Sequence, residues 1–417
     1  IPTYQLMQQM RKSLLGKGVQ ILDRIQITEL SHDENSPGWG ALGFNIRNGE
    51  MVKMEARAVV LAAGGCSYRG PFFGQDVVSG EGLEMACRAG ASLAYMEYGN
   101  HFNVSLKAFD TYGQSKFMAH GGKYINRNQE PFLETSGEGN RASGHIAVRR
   151  MVEEVERGRG PIYLDLRNFT EQDLVSKLMP NLDLLLHSSS LDFYGTPNEA
   201  IPGLTGTSNA SGAGVLIDKN SRTSVPGLFA AGDNASKGVV TGACVGLSGI
   251  SLAWANVTGY LAGKNAAEYA SITERSPVIN STRGNGDGIY QPMSIKGTFH
   301  PREIIWRLSA IMGNAYVNII KSEERLKRAS HQCQQLKELL YHDTAVSSYH
   351  DLMVWYEAKS ALFTANLTLE ASRFRQETRG AHYREDFPEK NTSLEGRVLV
   401  ASQANGQPEL SYHHLSG

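Results

Sequence analysis

Cysteine is scarce and dispersed in this chain of 417 residues. The four cysteines (Cys66, Cys87, Cys244 and Cys333) form no Cys-x-x-Cys pair. This argues against an iron–sulfur cluster or a structural zinc held within the chain at the usual spacing, and it suits a reducing, cytoplasmic setting. No spacing of His, Cys, Asp and Glu suggests a metal site. Neither sign of charge dominates, since 41 basic and 42 acidic residues leave a net charge of −1. Nucleic acid and anionic membranes therefore have no electrostatic claim as partners. A membrane span is also missing. Residues 238–263 carry no charge, but they are rich in Gly, Ser, Thr and Asn, so they read as a segment buried against a cofactor. The N-terminus, Ile1-Pro2-Thr3-Tyr4, has no signal-peptide layout and reads like the middle of a longer protein.

A dinucleotide fingerprint is lacking in the right context. Gly38-Trp39-Gly40-Ala41-Leu42-Gly43 matches G-x-G-x-x-G by letter. A polar loop precedes it and a strand follows, whereas the fingerprint needs a strand before and a helix after. It is expected to be a hairpin turn. What is abundant is glycine, with 44 residues against a usual share of about 7%. Two apolar strands end in small residues: Ala-Val-Val-Leu-Ala-Ala-Gly-Gly at 58–65 and Val-Pro-Gly-Leu-Phe-Ala-Ala-Gly-Asp at 225–233. Small residues let a backbone approach a large cofactor, and a carboxylate such as Asp233 can take a ribose-type hydroxyl. Together they suggest one nucleotide cofactor gripped from both sides.

This length predicts two or three domains. The pattern runs from a helix over 4–15 through strands at 19–30, 41–47 and 51–61 to a helix over 82–90. From about 99 to 206 it becomes aromatic, Gly-rich and basic, which reads as an inserted domain with a helix at 143–157. The strand and glycine pattern resumes at 215. A polar linker over 276–288 leads to long amphipathic helices, one of them over 348–373, and to a hairpin-like tail.

Ser79-Gly80-Glu81-Gly82 opens a helix and reads equally well as an acidic N-terminal turn or as a cofactor contact. Lys107, Asp110, Tyr112, Lys116, His101, His120 and Lys123 gather acid–base side chains in the inserted region. They can hold an anionic substrate or move a proton, or they form a solvated basic loop. Glu377 to Pro388 alternates charges densely, as a buried polar network would.

Five segments resemble the flavoprotein subunits of the succinate dehydrogenase/fumarate reductase family, which includes L-aspartate oxidase and adenylylsulfate reductase. They are Leu-Ala-Ala-Gly-Gly at 61–65, Ser-Gly-Glu-Gly-Leu-Glu-Met-Ala-Cys-Arg-Ala-Gly-Ala at 79–91, Gly-Arg-Gly-Pro-Ile-Tyr-Leu-Asp-Leu at 158–166, Pro-Gly-Leu-Phe-Ala-Ala-Gly-Asp at 226–233 and Arg-Gly-Ala-His-Tyr-Arg-Glu-Asp-Phe-Pro at 379–388. The resemblance implies an α/β fold, α+β overall: a Rossmann-like FAD-binding domain (1–98 and 207–275), an inserted α+β capping domain (99–206), a C-terminal helical domain (289–395) and a tail hairpin (396–417). It implies FAD held by Ala62, Ala63, Gly64, Gly65, Glu81, Asp233, Ser251 and Leu252, with the family's pyrophosphate loop without counterpart here. It also implies a separate iron–sulfur subunit, through which any membrane association would run.

The resemblance breaks at the substrate positions. Phe102 falls where the family has a catalytic histidine, with His101 one residue away, and Met118 falls on a capping-domain arginine. The histidine motif becomes residues 209–214, and the substrate-arginine motif becomes Cys-Val-Gly-Leu-Ser-Gly at 244–249. A dicarboxylate needs bidentate arginines, so the expected reaction is hydride transfer between flavin and an organic substrate other than succinate or fumarate. His120, Lys107 and His101 are the expected proton-handling residues. An adenylylsulfate-reductase-like activity and a non-catalytic assembly subunit stand as alternatives.

Overall fold

The computed structural model describes all residues except 1–2, 34–35, 71–76, 109–113, 134–143, 172–174, 176, 178, 208–210, 244–249, 274–295, 405–406 and 415–417. The expected linker at 276–288 lies outside the described residues. Helix α1 (Thr3–Gly16) precedes an antiparallel meander of β1 (Ile25–Asp33), β2 (Ser36–Asn45) and β3 (Met51–Ala56). Gly38 to Gly43 lie within β2 and not in a turn, which corrects the expectation. Gly43 is required by a close approach: a Cβ there would stand 2.2 Å from the Gln26 carbonyl oxygen, beside a register shift between Ile27 and Glu29.

Strand β4 (Val59–Leu61) then leads to α2 (Glu81–Arg88) and β5 (Leu93–Ala94). The inserted region contributes β6 (His101–Leu106), α3 (Gln114–Ala119), β7 (Lys123–Ile125), α4 (Gly144–Glu156), β8 (Ile162–Asp165), α5 (Pro180–Ser188) and β9 (Asn198–Gly206). Its strands form one antiparallel sheet in the order β6-β9-β8-β7. The amphipathic α4 buries Ala147, Val148, Met151 and Val152, the spacing expected of a helix with one apolar face.

Next come β10 (Gly214–Val215), β11 (Leu228–Ala230), the short α6 (Gly238–Thr241) and α7 (Ile250–Ile272). The C-terminal part holds α8 (Pro301–Met312), α9 (Ala315–Asn318), α10 (Glu323–His342) and α11 (Tyr349–Phe374), then β12 (Arg397–Ala404) and β13 (Gln407–His414). Ser322 and Ser348 cap α10 and α11, and Asp351 completes a capping box on α11. Helix α11 buries residues on every side, so its sequence shows no polar face. The tail hairpin does not stand alone, because β12 also pairs with β5 in a sheet ordered β10-β5-β12-β13. Antiparallel pairing dominates, and among the described residues the one parallel pair is β4 with β11. The chain is thus α+β overall, with a Rossmann-like element where β4 meets β11.

Candidate functional site

Leu61 of β4 lies opposite Ala230 of β11, and the Ala231 amide donates to the Leu61 carbonyl at 2.9 Å. Both strands therefore leave the sheet at one rim. Two sides of a cofactor were the expectation; the structure makes the two strand ends neighbours, because adjacent parallel strands align their carboxyl ends. That rim is where open α/β sheets bind ligands. Ala62 and Ala63 are exposed there, Gly64 is half-buried and Gly65 is buried. Val77, Val239, Val240 and Leu252, on the segments around these ends, are exposed at 67%, 48%, 51% and 68%. Apolar side chains left open in such number suit coverage by an apolar ring system.

FAD was tested against this rim on its unsatisfied atoms. Asn234 follows Asp233, is fully buried, and has no hydrogen-bond partner on either Oδ1 or Nδ2. Buried amides in native proteins are almost always paired. Across from it stands Gly82 of α2, where a Cβ would meet Asn234 Oδ1 at 2.5 Å and Ala63 Cβ at 2.9 Å. Three elements thus pack closely against one another, with one polar group left over. Glu81 stands at the start of α2, its carboxyl pushed up to about 7 by burial and by Glu357 and Glu84 nearby. A ribose-type hydroxyl donating to Glu81 would favour its charged form. These residues fit FAD.

Lys237 was missed by sequence reading. Its ammonium is fully buried, pairs with Asp233, and donates to Ser251 Oγ at 3.3 Å. It ties two of the expected FAD residues together. The available signal was its isolation, since Lys237 is the sole charge in residues 234–263.

A second cluster lies behind the rim. Arg375 Nε donates to Glu97 at 2.7 Å and its Nη1 to Glu377 at 2.6 Å, and Arg379 makes two bonds to Glu377 at 2.8 and 2.9 Å. Lys321 Nζ spends its three donors on the Glu97 carbonyl at 2.9 Å, His382 Nδ1 at 3.1 Å and Ser372 Oγ at 3.2 Å. Nε2 of His382 faces the Arg375 carbonyl at 3.0 Å, which can only accept, so Nε2 carries the proton and Nδ1 accepts from Lys321. Burial pushes Lys321 down to about 7 and holds His382 well below its ordinary value. Of the charged run at 377–388, Glu377, His382 and Arg384 are buried in this network, while Glu385 and Asp386 stand at its exposed edge.

Between this network and α4 lies a small cleft of about 20 Å³, room for about one water. Glu97, Asn100 and Phe102 form one wall, His145 and Arg149 of α4 another, and Lys321 and Tyr383 a third. Burial and Arg149 push His145 down to about 4, so it is neutral at pH 7. The rim and the cleft are joined through short links: Ser211 Oγ donates to the Tyr98 carbonyl at 3.0 Å, and the Ala381 amide donates to Ala243 at 3.0 Å.

The expected proton-handling residues are not among those lining this cleft. Lys107 is exposed and bound to both Glu199 oxygens at 2.9 Å. His120 is half-buried, edge-on to Phe169. The His101 backbone pairs with Gly206, and its side chain lies outside the described residues. Met118 sits in the apolar core of the inserted region at 9% exposure. Residues 208–210, which begin one divergent motif, and 244–249, which make up another, lie outside the described residues. Ser251 and Leu252 stand at the start of α7.

Residues 1–252 match the family described as "FAD binding domain", and residues 306–416 match "Fumarate reductase flavoprotein C-term". The chain is 26% identical over 403 residues to an uncharacterised FAD-dependent oxidoreductase of Methanocaldococcus jannaschii, covering 94% of this chain and 72% of that one. It is 28% identical over 415 residues to a chain of the fumarate reductase (CoM/CoB) of Methanothermobacter marburgensis, covering 95% and 73%. In fold it is similar to the E. coli quinol fumarate reductase flavoprotein (TM-score 0.81, 22% identity, 98% of this chain and 74% of that one). It is also similar to adenylylsulfate reductase from Archaeoglobus fulgidus (TM-score 0.72, 22% identity, 93% and 71%). With the FAD-fitting rim and the inserted and C-terminal regions in place, the chain belongs to the fumarate reductase/succinate dehydrogenase flavoprotein family of FAD-dependent oxidoreductases.

Proposed function

We propose that this flavoprotein oxidises or reduces a small organic molecule other than succinate or fumarate, held between the FAD-binding and capping regions. The observation that carries the enzymatic reading is Asn234, buried and unpartnered at the strand-end rim opposite Gly82. A protein that had lost its cofactor would have no use for an orphaned amide at the end of these strands. When bound, FAD supplies hydride chemistry. The chain supplies the socket: Glu81 and Asp233 as acceptors for ribose-type or ribityl hydroxyls, Lys237 holding Asp233 in place, and Ala62 to Gly65 admitting the cofactor closely.

Exclusion of dicarboxylates draws on Phe102 and Met118. Phe102 is an apolar wall of the cleft and Met118 is core, so neither offers charge where the resemblance implies a histidine and an arginine. The adenylylsulfate alternative has weaker support, because Lys107 is already neutralised by Glu199. The electron partner we propose is a separate iron–sulfur subunit. Among the described residues no group of His, Cys, Asp and Glu could hold a metal, and no helix is long and apolar enough to cross a membrane.

The test is flavin content and a substrate screen on the purified full-length protein with a one-electron dye, against hydroxy acids, amino acids, enoates and sulfur oxyanions. FAD at one per chain with turnover of a compound other than succinate or fumarate is expected. A protein without flavin absorbance contradicts the proposal.

A further inference from the structure

We infer that Lys237 sets how readily the bound flavin is reduced, by offsetting the charge of Asp233. This rests on the flavoenzyme reading above and assigns a positioning residue to that same site. The Asp233 side chain is 25% exposed and that of Lys237 is 0% exposed. A cofactor at the rim therefore reaches the carboxylate and not the ammonium. The ammonium lies behind it, paired with Asp233 and donating to Ser251 Oγ at 3.3 Å. Ser251 stands in the first turn of α7, a helix of 23 residues, whose amino end carries partial positive charge. Lys237 is the sole charge in residues 234–263, so nothing else in that stretch can offset Asp233.

Reduction changes the charge that this wall meets. Oxidised FAD takes up two electrons and one proton, so its ring system gains one negative charge. Protein charges near the ring tune that step. A lone carboxylate beside it favours the oxidised form. Lys237 cancels that carboxylate without removing it as a hydroxyl acceptor, and the amino end of α7 adds positive potential of its own. The ammonium is also fixed in advance, so no reorganisation accompanies the charge change. The Lys237 carbonyl accepts from the Val240 and Thr241 amides at 2.8 and 3.0 Å, and the Gly238 amide donates to the Gly212 carbonyl at 3.1 Å. The Tyr95 ring lies so close to Gly238 that a Cβ there would stand 2.1 Å from it. The segment that carries Lys237 is thereby locked from both sides.

The test measures the flavin midpoint potential of the FAD-loaded full-length protein by anaerobic titration against reference dyes, with circular dichroism of each variant. It is made at about pH 8, above the titration of Glu81 at about 7. Lys237→Met should weaken the binding of reduced FAD about tenfold more than that of oxidised FAD, which lowers the potential by about 30 mV. Asp233→Asn should raise it by a similar amount, and Lys237→Arg should keep the wild-type value. A purely structural pair would loosen FAD in both neutral variants and would not shift the potential in opposite directions. Where a variant sheds its FAD, the same ratio is read by titrating it with oxidised and with reduced FAD. An unchanged or raised potential in Lys237→Met, or shifts of one sign in Lys237→Met and Asp233→Asn, overturns the inference. A wild-type protein without flavin contradicts the flavoenzyme reading instead. A flavin-loaded protein whose variants all share one potential contradicts the role of Lys237 alone.

Discussion

At the rim of β4 and β11, Asn234 is fully buried and neither side-chain atom has a partner. At the junction behind it, Arg375 is equally buried and bonds Glu97 and Glu377. The rim is open, apolar and short of partners, with Val77 and Leu252 about two-thirds exposed. The junction is closed and ionic. The contrast separates two uses of buried polarity in one chain. A network whose charges are paired holds elements in a fixed arrangement, and a group left wanting marks where a ligand completes the structure. The junction joins the Met96–Tyr98 turn to the end of α11 and to residues 377–386, and so presents the rim and cleft on a rigid base.

Four perturbations would break or sharpen this contrast. The largest effect is expected from Arg375→Met, which leaves Glu97 and Glu377 buried without their shared partner. Removing one member of a buried ionic network costs about 3–5 kcal/mol, readable as a lower urea midpoint. A loss below about 1 kcal/mol would mean that the junction does not hold the base together. Lys237→Met, at the rim, should cost about 1–2 kcal/mol, less because Asp233 keeps 25% side-chain exposure and water can serve it. Its FAD affinity should fall while the far-UV spectrum stays native, and unchanged affinity would remove Lys237 from the socket.

The two smaller effects are pH dependences of opposite sign. Glu81 has a folded value near 7, above its ordinary 4.5, so the folded state holds more proton than the unfolded chain between those limits. Stability in the absence of FAD should therefore fall as pH rises from about 4.5 to 7, and Glu81→Gln should flatten that slope. Lys321 has a folded value near 7, below its ordinary 10.5, so here the unfolded chain holds more proton. Wild-type stability relative to Lys321→Met should rise with pH between about 7 and 10.5. Equal slopes for wild type and variant in either window would show that the group titrates as it does in the unfolded chain.

Much of this arrangement was legible in the sequence, and the exceptions have physical reasons. The small-residue strand ends at 62–65 and 231–233 announced themselves, because close backbone approach is written directly in residue size. Their parallel adjacency was not legible, since pairing between strands so far apart in the chain leaves no local pattern. Glu377, His382 and Arg384 of the charged run at 377–388 are buried as its density of alternating charge suggested, because such charges need one another, while Glu385 and Asp386 reach solvent. Lys237 was overlooked because one lysine in an uncharged stretch looks like a solvated exception. Gly38 to Gly43 misled by spacing alone, as Gly43 answers a close approach across β1 and β2 and not a turn. The cleft could not be read at all. Asn100, Arg149 and Lys321 come from three distant segments, and neutralised Lys107 drew attention by its charge instead.

The central claim is that the close junction of Gly82, Ala63 and Asn234 shapes the FAD socket. The most direct measurement titrates FAD into flavin-stripped protein and its Gly82→Val variant by fluorescence quenching, with thermal unfolding recorded for both. The account predicts one FAD per chain for the wild type, and binding weakened about tenfold or more in a variant whose fold persists, because a valine side chain displaces Asn234 and Ala63. A folded Gly82→Val protein that binds FAD as tightly as the wild type would contradict it.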